Sequence, residues 1–109
     1  MKFPFSFKRS YRLTCKKDFE RMYESKLKRS TGPFLIHRRP NTLGHARLGI
    51  SVPKRVGNAV QRNRVKRLCR EAFRLSFPNL PSIDILITVR PHKKMTLNEC
   101  IEHIQKGTE

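Results

Sequence analysis

At 109 residues and 12.9 kDa, the chain has room for one core, and 1–109 reads as a single domain. Lysine and arginine number 25 against 8 acidic residues, a formal charge of +17 with a pI near 11.0, which directs the surface toward polyanions. No apolar run is long enough to span a bilayer, and MKFPFSFKRS interleaves its phenylalanines with Pro, Ser and Lys where a secretory segment would be unbroken, so the expected compartment is the cytoplasm.

The first predicted element is a helix capped by Thr14 and running to about residue 26, with Phe19, Met22 and Tyr23 at i, i+3 and i+4 on one apolar face. Taken alone, aromatics at that spacing fit a core face better than a stacking platform. Gly32-Pro33 breaks the chain and starts a strand in which Phe34 and Ile36 face one way, Leu35 and His37 the other. A turn between Pro40-Asn41 and Gly44 leads to residues 46–53, where Ala46, Leu48, Ile50 and Val52 alternate with Arg47, Gly49 and Ser51, a period-two strand that Pro53 ends.

Gly57-Asn58 opens a second helix reaching about residue 77, where Pro78 stops it. At about 100° per residue, Val65, Leu68, Cys69 and Ala72 form one stripe, while Asn63, Arg67, Arg70 and Arg74 cluster within about 60° of arc opposite it. Arg62, Arg64 and Lys66 flank that ridge. Residues 83–89 read as a buried strand, and Thr96 with Glu99 forms a capping box for a last helix whose Leu97, Cys100, Ile101 and Ile104 face inward. The order is α-β-β-α-β-α, with residues 3–7 a candidate edge strand.

The charge is unevenly placed. Residues 1–53 hold 13 basic and 3 acidic side chains, residues 54–74 hold 8 and 1, and residues 75–109 hold 4 and 4. A solvated helix face normally mixes signs to gain i,i+4 pairs, yet Glu71 is the only acid between Lys54 and Arg74, so like charges repel along the whole surface unless a polyanion covers it. Arginine outnumbers lysine six to two in that block, and the guanidinium fork grips phosphate. A helix-turn-helix is a poor match, because this helix follows one strand and precedes another, and RNA is favoured over DNA. The sheet face carrying Leu35, His37, Arg47, Gly49 and Ser51 is expected to lie open to a single strand. Cysteines at 15, 69 and 100 form no C-x-x-C pair, and the four histidines lack zinc-site spacing, so reduced thiols and no protein metal site are expected.

The stretch from Arg47 to Arg74, RLGISVPKRVGNAVQRNRVKRLCREAFR, resembles the signature of the bacterial ribonuclease P protein family, with Arg62-Asn63-Arg64, Lys66-Arg67 and Arg70-Glu71 standing as its RNR motif. Lys17-Asp18-Phe19 with Tyr23 resembles the family's first helix, and Asp84 to Pro91 its late strand. The resemblance implies an α+β fold: a single-domain two-layer α/β sandwich whose mixed sheet contains a left-handed βαβ crossover, as in the second domain of a small-subunit ribosomal protein. It also implies a protein subunit that binds a large catalytic RNA and assists removal of the 5′ leader from precursor tRNA, in a 1:1 ribonucleoprotein whose chemistry belongs to the RNA and its Mg2+ ions. Carried over by position, Lys54, Arg55, Arg62, Asn63, Arg64, Lys66, Arg67 and, more weakly, Arg74 would dock the catalytic RNA. Phe19, Tyr23, His37, Ser51 and Arg70 would line a leader cleft between the basic helix, the first helix and the sheet. No catalytic residue is assigned to the protein.

The chain departs from the family pattern at two positions. His37 stands where a tyrosine is frequent, which makes stacking there weaker and pH-dependent, and Pro53 stands where a small polar residue is common. A ribosomal or other structural RNA-binding protein fits the charge pattern equally well and lacks only the RNR motif joined to a leader cleft. A protein nuclease would need clustered carboxylates, and the eight acids contain no D-x-D or E-x-D pair.

Overall fold

The computed structural model describes residues 11–13 and 15–108; the candidate strand at 3–7 and the Thr14 cap fall outside them. Helix α1 spans Lys16–Glu24, with Cys15 in the cap position and no side-chain cap bond, one residue later than a Thr14 cap would set it. It also stops two residues short of the predicted end. The Ser25 amide bonds back to the Met22 carbonyl, and the Ser25 hydroxyl donates to the carbonyl of Arg38 at 2.7 Å, which turns the chain out of the helix.

The chain then forms a strand that the sequence did not announce. In β1, Lys28–Thr31, only Thr31 is buried, so there was no apolar alternation to read. It pairs antiparallel with β2, Phe34–Pro40, in a register set by the two-residue turn Gly32-Pro33. Gly32 sits at φ +56, where a Cβ would also collide with the His103 ring, so the turn demands glycine twice over.

Strand β3, Arg47–Ser51, lies inside the predicted 46–53, and β4, Ile83–Val89, coincides with its prediction. Helix α2, Ala59–Ser76, is held at its start by a capping box between Asn58 and Gln61; a 3-10 turn at Phe77–Asn79, with Pro78 inside it, ends it. Helix α3, Leu97–Gly107, carries the predicted Thr96–Glu99 box.

The sheet runs β1-β2-β4-β3, with β3 parallel to β4 and the other pairs antiparallel. The β3-α2-β4 unit is therefore a crossover between adjacent parallel strands, inside a mixed α+β sandwich. On one face, Phe34, Ile36, Leu48, Ile85, Ile87 and Val89 meet Val65, Cys69, Ala72 and Phe73 of α2 and Cys100 and Ile104 of α3. Strand residues alternate faces, so Leu86 points the other way. There it packs with Leu13 and Met22, and Phe19 lies against them. Thus α1 covers part of the second face, and α2 lies across the sheet from it.

Candidate nucleic-acid interface

The crossover fixes where the charge goes. With Val65, Cys69, Ala72, Phe73 and Ser76 buried, the opposite side of α2 is exposed at Asn63, Arg64, Arg67 and Arg70. Arg62 and Lys66 are half-buried at its margin; the Arg62 Nε is buried with no hydrogen-bond partner among the described residues. Arg62, Lys66 and Arg70 recur every four residues, so they form one row along the helix. Because α3 packs beside α2 over β1 and β2, that row lies on the flank toward the β3 edge. Lys54 and Arg55, exposed in a 3-10 turn at Lys54–Val56, continue the charge around that edge.

Arg74 differs from its neighbours. Its Nε donates to Glu71 Oε2 at 3.0 Å and its Nη2 to Oε1. This hydrogen bonding holds the Glu71 carboxyl below its ordinary range. The one acid of the block thus neutralises the last arginine of the ridge and leaves the rest single-signed.

On the second sheet face, Tyr23 of α1, half exposed at 52%, stands edge-on to His37 with ring centroids 5.7 Å apart. His37 is only 5% exposed and Gly49 is buried. Packing corrects the expectation of an open sheet face at these two positions: α1 and Leu13 lie over it, and a Cβ on Gly49 would press on Leu13 and Leu86 at 3.1–3.3 Å. Burial, followed by the positive Lys28 opposite, lowers the His37 pKa and so disfavours the charged ring. Its Nδ1 is buried without a partner among the described residues, and so is Thr88 Oγ1. Thr88 pairs in register with Ser51 and Leu35, so Thr88, Ser51 and His37 share one face of the sheet, with Tyr23 against His37 and Phe19 against Leu86.

Four of the five residues expected to line a leader cleft, Phe19, Tyr23, His37 and Ser51, therefore lie on one side of the sheet. Arg70 stands with Arg62 and Lys66 on α2, whose apolar stripe is committed to the opposite face of the sheet, on the flank toward the β3 edge. Sequence reasoning missed Thr88, which was absorbed into a continuous buried run. The period-two alternation Asp84, Leu86, Thr88 against Ile85, Ile87, Val89 was the available signal.

Several of the described acids are spent on structure. Asp84 takes two bonds from Arg47 and one from Asn41, Asp18 lies 3.7 Å from Arg47, and Glu99 completes a cap. Among the described residues no three of His, Cys, Asp and Glu converge as metal ligands. None of the described helices is long and apolar enough to cross a membrane.

A mixed sheet with a cationic helix on one face and Tyr23, Phe19 and His37 on the other has the form of an RNA-binding α+β domain. The sequence matches the ribonuclease P family profile over residues 7–109. It is 47% identical over 88 residues to the ribonuclease P protein component of Legionella pneumophila strain Corby, covering 80% of this chain and 75% of that one. To that of Macrococcus caseolyticus it is 39% identical over 103 residues, covering 90% of each. Among solved structures it resembles a Staphylococcus aureus RNase P protein mutant with defective mRNA degradation activity, with a TM-score of 0.81 at 33% identity, covering 91% of this chain and 86% of that one. The Thermotoga maritima RNase P protein in complex with 1-(4-fluorophenyl)-2-thiourea gives 0.75 at 28%, covering 86% and 94%. The chain belongs to the ribonuclease P protein family, whose members are the protein subunit of the ribonucleoprotein that matures the 5′ end of tRNA. The ribosomal-protein alternative is thereby set aside.

Proposed function

We propose that this subunit holds two RNAs at once, one on each face of its sheet. The α2 ridge and the Lys54–Arg55 turn dock the catalytic RNA through its phosphates, and the cleft between α1 and the sheet holds the unpaired 5′ leader of precursor tRNA. The observation that supports this most is the segregation itself: single-signed guanidiniums on one side, and unpartnered His37 Nδ1 and Thr88 Oγ1 beside an exposed tyrosine on the other. A cleft of that kind suits bases that are splayed out and stacked, as in single-stranded RNA.

Catalysis belongs to the RNA in this reading. The described carboxylates are engaged by Arg47, Arg74 or a helix cap, or are scattered on the surface, and do not fit a protein-held catalytic ion. Mg2+ held by RNA and substrate phosphates would supply the activated water. The protein neutralises phosphates near the cleavage site, which tightens substrate binding and spares divalent ions that task. It acts as one copy per RNA, in the cytoplasm where precursor tRNA is made.

The test is single-turnover cleavage of precursor tRNA across a magnesium series, with ribonuclease P RNA alone, protein alone and both together. The expected result is no cleavage by RNA-free protein and a lower magnesium requirement for the complex. Site-specific 5′ cleavage by the protein alone would overturn the assignment.

A further inference from the structure

The cationic ridge of α2 is interrupted by an apolar side chain. Val60 is 71% exposed and lies on the same side of the helix as Arg64 and Arg67, four and seven residues on. Beside it, α2 and the start of α3 enclose a groove of about 590 Å3, with Val60, Leu68 and Leu97 as apolar lining and Asn63, Arg64 and Arg67 as polar lining. On the other side of Arg64 and Leu68, a smaller recess of about 120 Å3 adds His92, Lys94 and Met95.

The chemistry selects the occupant. An apolar floor between guanidiniums of one sign fits a ligand with a flat apolar body and an attached anion. A nucleotide is such a ligand. A duplex keeps its base faces stacked and cannot offer one to the floor, so the nucleotide must be unpaired. Glu71 also borders the groove, and its carboxylate, already bonded to Arg74, retains acceptor capacity for an exocyclic amine such as that of adenine or cytosine.

We propose that the groove between α2 and α3 receives one unstacked nucleotide of the RNA subunit, its base against Val60, Leu68 and Leu97 and its phosphate on Arg64 and Arg67. The proposal rests on the reading of the α2 ridge as the docking surface and adds to it a base contact among phosphate contacts. It places RNA on Leu97 at the start of α3, a residue that the family motif does not include.

The two kinds of contact separate by salt. A lost phosphate contact flattens the dependence of log affinity on log salt, whereas a lost apolar contact lowers affinity and leaves the slope unchanged. The full-length protein is titrated against ribonuclease P RNA over a salt series, as wild type, Val60→Ser and Arg67→Ala, with thermal melts of each. Dimethyl sulfate probing of the RNA is run in parallel. Val60→Ser is expected to melt like wild type, to bind about fivefold more weakly at unchanged slope, and to re-expose one adenine or cytosine that wild type protects. Unchanged affinity, a flattened slope for Val60→Ser, or no protected base would overturn the proposal. So would concentration-dependent dimerisation of the free protein that Val60→Ser abolishes, since the groove would then belong to a second copy. An unchanged slope for Arg67→Ala would instead count against the docking surface itself.

Discussion

Arg47 grips Asp84 across the parallel strands β3 and β4 by two parallel hydrogen bonds, Nε to Oδ1 at 2.8 Å and Nη2 to Oδ2 at 2.7 Å. The pair sits in the register position Arg47↔Asp84; Asn41 donates to the same carboxylate at 2.8 Å, and Asp18 adds a second acid to Arg47. A chain with a formal charge of +17 thus spends one arginine entirely on its own fold.

Arg47→Ala should therefore act on stability rather than on RNA. Removing one partner leaves Asp84, 8% exposed, without its counter-charge, at a cost of roughly 3 kcal/mol. Denaturant unfolding should show that loss, while the salt slope of RNA binding by the folded fraction stays at the wild-type value.

Glu71→Gln should do the reverse. It leaves the rate of the chemical step intact and releases Arg74 from its carboxylate. Affinity for the catalytic RNA should rise and the salt slope should steepen by about one phosphate contact, roughly 0.7 to 0.9. A weaker complex would show that Glu71 contributes a contact, by positioning Arg74 or by accepting from a base in the α2–α3 groove, rather than masking one.

Tyr23 and Phe19 should separate. Tyr23 is half exposed, so Tyr23→Ala should weaken binding of leader-bearing precursor tRNA by roughly 1–3 kcal/mol, with little change in melting or in affinity for mature tRNA. Phe19 packs against the Leu13, Met22 and Leu86 cluster, so Phe19→Ala should lower both stability and leader affinity. Equal losses on precursor and mature tRNA would remove these rings from the leader site.

His37 sets a pH dependence. Its pKa in the folded protein is depressed, chiefly by burial and then by Lys28, so below the ordinary value of about 6.5 the unfolded chain binds the proton more readily. Stability is full above that value and falls as pH drops toward the depressed pKa. Melting temperatures between pH 7.5 and 5 should decline more steeply for wild type than for His37→Tyr. Parallel curves would mean that the His37 pKa is the same in the folded and unfolded chain.

Elements whose cause is local were legible in the chain alone. Period-two alternation marked β3, a β-branched run marked β4, Gly57-Asn58 marked the start of α2, and Thr96 with Glu99 marked that of α3. The 60° arc of Asn63, Arg67, Arg70 and Arg74 came from helix geometry and from a stripe that had to be buried. Other features depend on contacts between distant parts of the chain. β1 exists because a glycine turn folds four polar residues back onto β2. His37 is buried because α1 happens to cross above it. Thr88 shares a face with His37 and Ser51, and Arg70 stands across the sheet from them, because the β3-α2-β4 crossover seats α2 on the opposite face, and which face a helix covers is settled by packing between residues far apart in sequence.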